Sequence, residues 1–113
     1  MNSVIITGRL TDEPETVTTQ TGKTFVKFCV ASNISKDRAE YVSFEAWENE
    51  ANFISRYFHK GDGIVCMGQL RSQQYEKDGQ KRKRWYVKLN HAEFGQSRKP
   101  DKEPVFDDDL PFG

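Results

Sequence analysis

Four tyrosine or tryptophan rings, Tyr41, Trp47, Tyr75 and Tyr86, recur through this sequence among the cations Arg71, Arg84 and Lys88. Alternation places all seven on one side of strand-like segments. In YVSFEAW (41–47), Val42, Phe44 and Ala46 form an apolar set, which leaves Tyr41 and Trp47 opposite it with Ser43 and Glu45. In the stretch from Gly63 to Tyr75, the inward set is Ile64, Cys66, Gly68 and Leu70, and Arg71, Gln73 and Tyr75 face out. Farther on, Trp85, Val87 and Leu89 share the inward parity, so Trp85 is expected in the core; Arg84, Tyr86 and Lys88 take the other side. Rings interleaved with cations suit an unpaired nucleic-acid strand. Bases stack on the rings, worth about 1–3 kcal/mol each, while cations follow the phosphates. A duplex reader would instead present Arg, Asn or Gln on a helix or ribbon to base edges in a groove. Outward aromatics can also build a subunit interface.

The elements that must position these residues are mostly strands. SVIITGRL (3–10) is β-branched, and TFVKFCVAS (24–32) alternates, with Val26, Phe28 and Val30 on one face and Phe25, Lys27 and Cys29 on the other. The polar stretch 12–23, with Pro14 and Gly22, reads as a loop or hairpin connection, and 33–40 reads as a polar loop. Between Asn49 and His59 the period changes: Phe53, Ile54, Tyr57 and Phe58 mark one helical face, and Lys60-Gly61 supplies a basic last turn and a stop. The rest, to Phe94, reads as a long hairpin with strands near 63–75 and 82–94 turning at Asp78-Gly79. The expected fold is an all-β, five-stranded OB-fold barrel with one helix between strands 3 and 4. It is followed by a disordered acidic C-terminal tail over 96–113.

The 113 residues carry 17 basic and 17 acidic side chains, but the balance hides a segregation. Residues 103–113 hold four carboxylates and no Lys or Arg, so the other 102 residues carry a net +4. A basic body with an acidic tail fits a nucleic-acid binder with an interaction tail. The opening MNSVIITGRL lacks a charged leader and a long apolar run, so neither a signal peptide nor a membrane span is expected. Cys29 and Cys66 lie in apolar runs and are expected as small buried thiols in a reducing cytosol. His59 and His91 stand alone and are expected at the surface. No nucleophile–base pair, phosphate-cradling glycine loop or metal spacing is visible, so no catalysis, cofactor or metal is expected.

Several segments, taken in order, resemble the bacterial-type single-stranded DNA-binding protein family. They are VIITGRLTDEPE, FVKFCVASN, the run AWENEANFISRYFHKGDGIVCMGQLRSQQYEKDG, and the terminal DDDLPFG. The resemblance implies base stacking by Tyr41 and Trp47, at the two ends of the third strand, and by Tyr75, at the far end of the fourth. It adds Arg9, Lys27 and Arg71 as polar or basic contacts beside Tyr86, Arg84 and Lys88. The loop NISKDRAE lacks the ring that the family carries there. It also implies a homotetramer, cytoplasmic and nucleoid-associated, that protects single-stranded DNA during replication, recombination and repair. The domain expected is 1–95, with a short linker 96–106 and a tip 107–113. A coil of that linker's length reaches on the order of 20 Å, so partners would be held close to the barrel.

The tip has its own chemistry. Asp107, Asp108 and Asp109 precede Leu110, Pro111 and Phe112. A partner with cations around an apolar pocket could seat Phe112 while pairing the aspartates, and Pro111 lowers the ordering cost. In the resembled family such tails recruit replication, recombination and repair enzymes. With DNA absent, the same tail could lie on the basic barrel. Two other readings stay open: a single-stranded RNA-binding module, and a protein adaptor whose aromatic face binds protein.

Overall fold

A computed structural model describes residues 1–96. The linker from 97 onward and the tip residues Asp107, Asp108, Asp109, Leu110, Pro111 and Phe112 lie outside the described residues.

The elements are β1 (Val4–Leu10), β2 (Glu15–Thr18), β3 (Thr24–Ser35), β4 (Arg38–Trp47), α1 (Glu48–Tyr57), β5 (Gly63–Lys77) and β6 (Gln80–Phe94). The sheet runs β1-β5-β6-β4-β3-β2, and β1 also pairs with β3 through Arg9↔Ala31 and Leu10↔Val30. That second pairing closes β1, β5, β6, β4 and β3 into a five-stranded barrel with one helix, the expected OB-fold. Gly8 permits the closure, because a Cβ there would run into the Ala31 carbonyl.

Alternation works wherever a strand lines the barrel. Val26, Phe28, Val30, Phe44, Ala46, Ile64, Cys66, Val87 and Leu89 are buried together. Helix α1 plugs one end with Ala51 and Ile54, and Phe58 follows them into the core. The helix stops sooner than the basic-glycine signal suggests. Phe58 is already extended, its N–H donating to the Ile54 carbonyl at 3.1 Å, and Gly61 (φ +90°) turns the chain toward β5. Tyr57, expected on the packed face, is largely exposed.

Three expectations are corrected. Segment 12–23 contains strand β2, which pairs Glu15 to Thr18 with Lys27 to Thr24 on the edge of β3. Segment 33–40 is not a loop: β3 and β4 continue paired to Ser35↔Arg38, turning at Lys36-Asp37, with a bulge at Ile34. Trp85 and Leu70 are not core residues; they are 57% and 43% exposed. Their parity is inward, but β5 and β6 project past the barrel as a two-stranded arm. There the inward side faces water. Asp78 (φ 54°) and Gly79 (φ 76°) form the arm's tight turn, both in the left-handed region that such hairpins demand.

Both cysteines are free thiols. Burial pushes the Cys66 thiol up to about 12, while Cys29 is only half-buried on the outer face. His59 and His91 are exposed, each beside a carboxylate, Glu13 at 3.1 Å and Glu93 at 3.0 Å. Among the described residues no cluster of His, Cys, Asp or Glu could hold a metal, and no helix is long and apolar enough to cross a membrane.

Candidate nucleic-acid interface

Directly opposed residues of neighbouring strands share a face, so the register reveals which outward side chains meet. Phe25 opposes Trp47, and the two rings stack at 4.7 Å with a 23° tilt. One step along, a polar row crosses four strands: Lys27↔Glu45, Glu45↔Lys88 and Lys88↔Gln69. Next to it, Tyr86 opposes Arg71. Trp47, Arg71, Tyr86 and Lys88, with Glu48 at the rim, line one open hollow. Four of the sequence-derived residues thus converge from three strands, β4 and the β5–β6 hairpin.

The other five are placed differently. Tyr41, 69% exposed, shares an outward row with Ala31 and Arg9, six residues along β4 from Trp47. Arg9 donates from Nη1 to the Gly61 carbonyl at 3.1 Å, which ties β1 to the loop after α1. Tyr75 stands out on the arm, opposite Arg82. Lys27 lies 3.9 Å from Glu15 in an exposed pair. It also borders a second hollow whose lining includes Asp12, Glu13, Glu15 and Glu45. The Arg71–Lys88 side of the sheet therefore carries fewer carboxylates than the Lys27 side.

Arg84 is held by neighbouring side chains. Its guanidinium donates to Glu45 Oε2 at 2.8 Å and to Gln73 Oε1 at 3.0 Å, and lies 4.8 Å from the Tyr86 ring centroid. Glu45 is only 7% exposed. A buried carboxylate is costly unless paired and hydrogen-bonded, and Arg84 does both while buttressing Tyr86. Arg84 is thus already engaged by Glu45, Gln73 and the Tyr86 ring.

Sequence reasoning also missed Phe25 and Glu48. Phe25 extends the ring surface under Trp47, and the signal for it was its shared parity with Lys27. Glu48 enters α1 with φ at 53°, a conformation that a residue other than glycine adopts only at a cost. It does so at the edge of the hollow, next to Trp47, and no sequence signal marks it.

Beside the second hollow, Glu13 clamps the loop after α1. Its carboxylate accepts the Lys60 backbone N–H at 2.8 Å and pairs with His59. Those contacts hold the Glu13 carboxyl below its usual range.

Comparison with known proteins agrees with this architecture. A family model described as "Single-strand binding protein family" matches residues 1–95. The chain is 34% identical over 106 residues to a protein of Fusobacterium nucleatum named single-stranded DNA-binding protein, covering 87% of this chain and 69% of that one. It is 39% identical over 77 residues to the like-named protein of Malacoplasma penetrans, covering 66% of this chain and 41% of that one. A Streptococcus agalactiae protein named single-stranded DNA-binding protein 2 is 38% identical over 85 residues, covering 70% of this chain and 65% of its own length. The match therefore spans less than two thirds of the length of two of these three relatives. With the barrel, the helix between its third and fourth strands and the family match over residues 1–95 all in agreement, the chain belongs to the single-strand binding protein family.

Proposed function

We propose that this protein binds single-stranded DNA without strong sequence preference. Bases would stack on Trp47, Tyr86, Tyr75 and Tyr41, and Arg71 and Lys88 would follow the phosphates. The observation that carries the reading is the hollow in which Trp47, Tyr86, Arg71 and Lys88 converge on the outer sheet of a family member. Ring faces accept any base, which explains how one surface could coat unrelated sequences. The role is binding and protection, not catalysis, in replication, recombination and repair.

The barrel residues 1–95 act as the DNA-binding unit, and the tail recruits partner enzymes. Asp107, Asp108 and Asp109 supply charge, and Leu110, Pro111 and Phe112 supply the apolar plug, over a linker of 96–106. Self-association, with a homotetramer as the expected form, rests on the resemblance to the family.

Intrinsic tryptophan fluorescence titrated with poly-dT, poly-U and duplex DNA tests the reading. Poly-dT is expected to quench strongly and duplex DNA weakly. Stronger response to poly-U would transfer the function to RNA, and no response to any polymer would leave the protein-adaptor reading. For the tail, deleting residues 110–113 should abolish capture of partner enzymes and leave DNA affinity equal or slightly higher. A marked loss of DNA affinity would contradict that division of labour.

A further inference from the structure

The β5–β6 arm has a reverse face that the proposed DNA path does not use. Along it Leu70, Ser72, Gln74 and Glu76 oppose Val87, Trp85, Lys83 and Lys81. Nearer the barrel this parity is core, with Ile64, Cys66, Val87 and Leu89 buried. Past Leu70 the cover ends. Strand β1 starts opposite Gly68, and beyond it Asn2 reaches the arm. The Asn2 side chain donates to the Leu70 carbonyl at 2.8 Å and accepts the Leu70 N–H at 2.9 Å. The pairing of β4 with β6 begins at Phe44↔Val87. Trp85 is left open to solvent, with the Lys83 ammonium 5.6 Å from its ring centroid.

An exposed indole with a cation over it is poised for exchange. A base can take the ring face, and the displaced ammonium can move to that nucleotide's phosphate. The chemistry of the surroundings decides what covers the ring. Lys83 and then Lys81 follow it toward the tip of the arm, Ser72 and Gln74 lie across from it, and Glu76 is the one carboxylate on this face of the arm. Lysine is depleted from protein–protein interface cores but suits a phosphate chain. Distances along the arm also fit. Ser72, opposite Trp85, and Tyr75 are three residues apart, about 10 Å along the strand, and the arm is only two strands wide.

We infer that Trp85, assisted by Lys83, is a second base-stacking station on the reverse face of the arm. A single strand leaving Tyr75 and Tyr86 passes around the arm and stacks again on Trp85. This rests on the single-strand reading above and deepens it. The arm then becomes a post gripped on both sides rather than one edge of a flat platform.

The chain has two tryptophans, so two substitutions separate the stations. Trp47→Phe leaves Trp85 as the sole indole, and Trp85→Phe leaves Trp47. Each variant is titrated with long oligo-dT while a labelled copy of the same oligonucleotide reports binding by anisotropy. The expected result is quenching of Trp85 in the first variant, lessened by adding Lys83→Ala. In an otherwise unaltered chain, Trp85→Ala is expected to loosen oligo-dT binding about five-fold or more. Binding by anisotropy with Trp85 emission unchanged overturns the inference and leaves the Trp47 site standing. A Trp85 emission that shifts to the blue with protein concentration, without DNA, and ignores oligo-dT also overturns it, in favour of a second copy of this chain. If the unaltered chain binds no labelled oligo-dT, the single-strand reading and this inference fall together.

Discussion

The barrel face and the projecting arm both present rings, yet they hold them in different ways. Trp47 sits where β4 passes into α1, stacked on Phe25 and rooted beside the buried Phe44 and Ala46. Tyr75 and Trp85 stand on two strands with no core beneath. A two-stranded hairpin alone is marginal in water, so the arm depends on the barrel at its root. The charge is distributed the other way. Residues 71–88 hold seven Lys or Arg side chains against two carboxylates, whereas the hollow beside Lys27 on the barrel carries several acids. Under the proposed function the barrel would supply a preorganised stacking surface, and the arm would supply attraction.

That division can be broken by mutation. Trp47→Ala combined with Tyr75→Ala should weaken poly-dT binding by about 2–6 kcal/mol, with the far-ultraviolet circular dichroism unchanged. The single variants should divide this loss unequally, Trp47→Ala the larger, because its ring is held in place before the ligand arrives. Equal losses measured by anisotropy would erase the distinction, and wild-type affinity in the folded double variant would remove both residues from the site.

Next in size is the contrast between two arginines. Arg84→Ala should cost about 1–3 kcal/mol in a urea melt, because it strands the Glu45 carboxylate in the sheet. Adding Glu45→Gln should recover part of the loss. Arg71→Ala should leave stability within about 0.5 kcal/mol and instead reduce the salt dependence of DNA binding by about 0.7 in log–log slope. The reverse pattern would exchange their roles.

Glu48→Gly should stabilise the fold by about 1 kcal/mol, since glycine accepts the positive φ that Glu48 endures. It also removes a carboxylate from the rim of the hollow, so affinity should rise with stability. A stability loss in thermal melts would show that Glu48 makes contacts worth more than its backbone strain.

The smallest effect belongs to the contact of Glu13 with the loop after α1. The Glu13 carboxyl is lowered in the folded state by the Lys60 N–H and by His59. Its contribution is therefore present above the ordinary carboxylate range and is lost as pH falls through the lowered value. Amide shifts at His59 and Lys60 should titrate together in acid, and Glu13→Gln should abolish that transition.

Much of the barrel was legible in the sequence because alternation reports a buried face directly. Val26, Phe28 and Val30, then Val42, Phe44 and Ala46, marked the core parity, and Tyr41 and Trp47 followed as outward. The rule fails where a strand leaves the barrel. Residues 33–40 looked like a loop because both sides of that hairpin meet water and carry polar residues. Trp85 and Leu70 looked like core for the mirror reason: their parity was right, but the layer that would cover them ends at Gly68.

The sequence by itself determined the five barrel strands and the helix, the outward parity of the rings and cations, the tight turn at Asp78-Gly79 and the acidic character of the tail. All of these depend on local chemistry or on a period of two. Only the tertiary structure decided that Trp47, Tyr86, Arg71 and Lys88 share one hollow, that Arg84 is committed to Glu45, and that Trp85 lies in the open. Those outcomes depend on cross-strand register and on where the barrel stops, and both are set by contacts between residues distant in sequence.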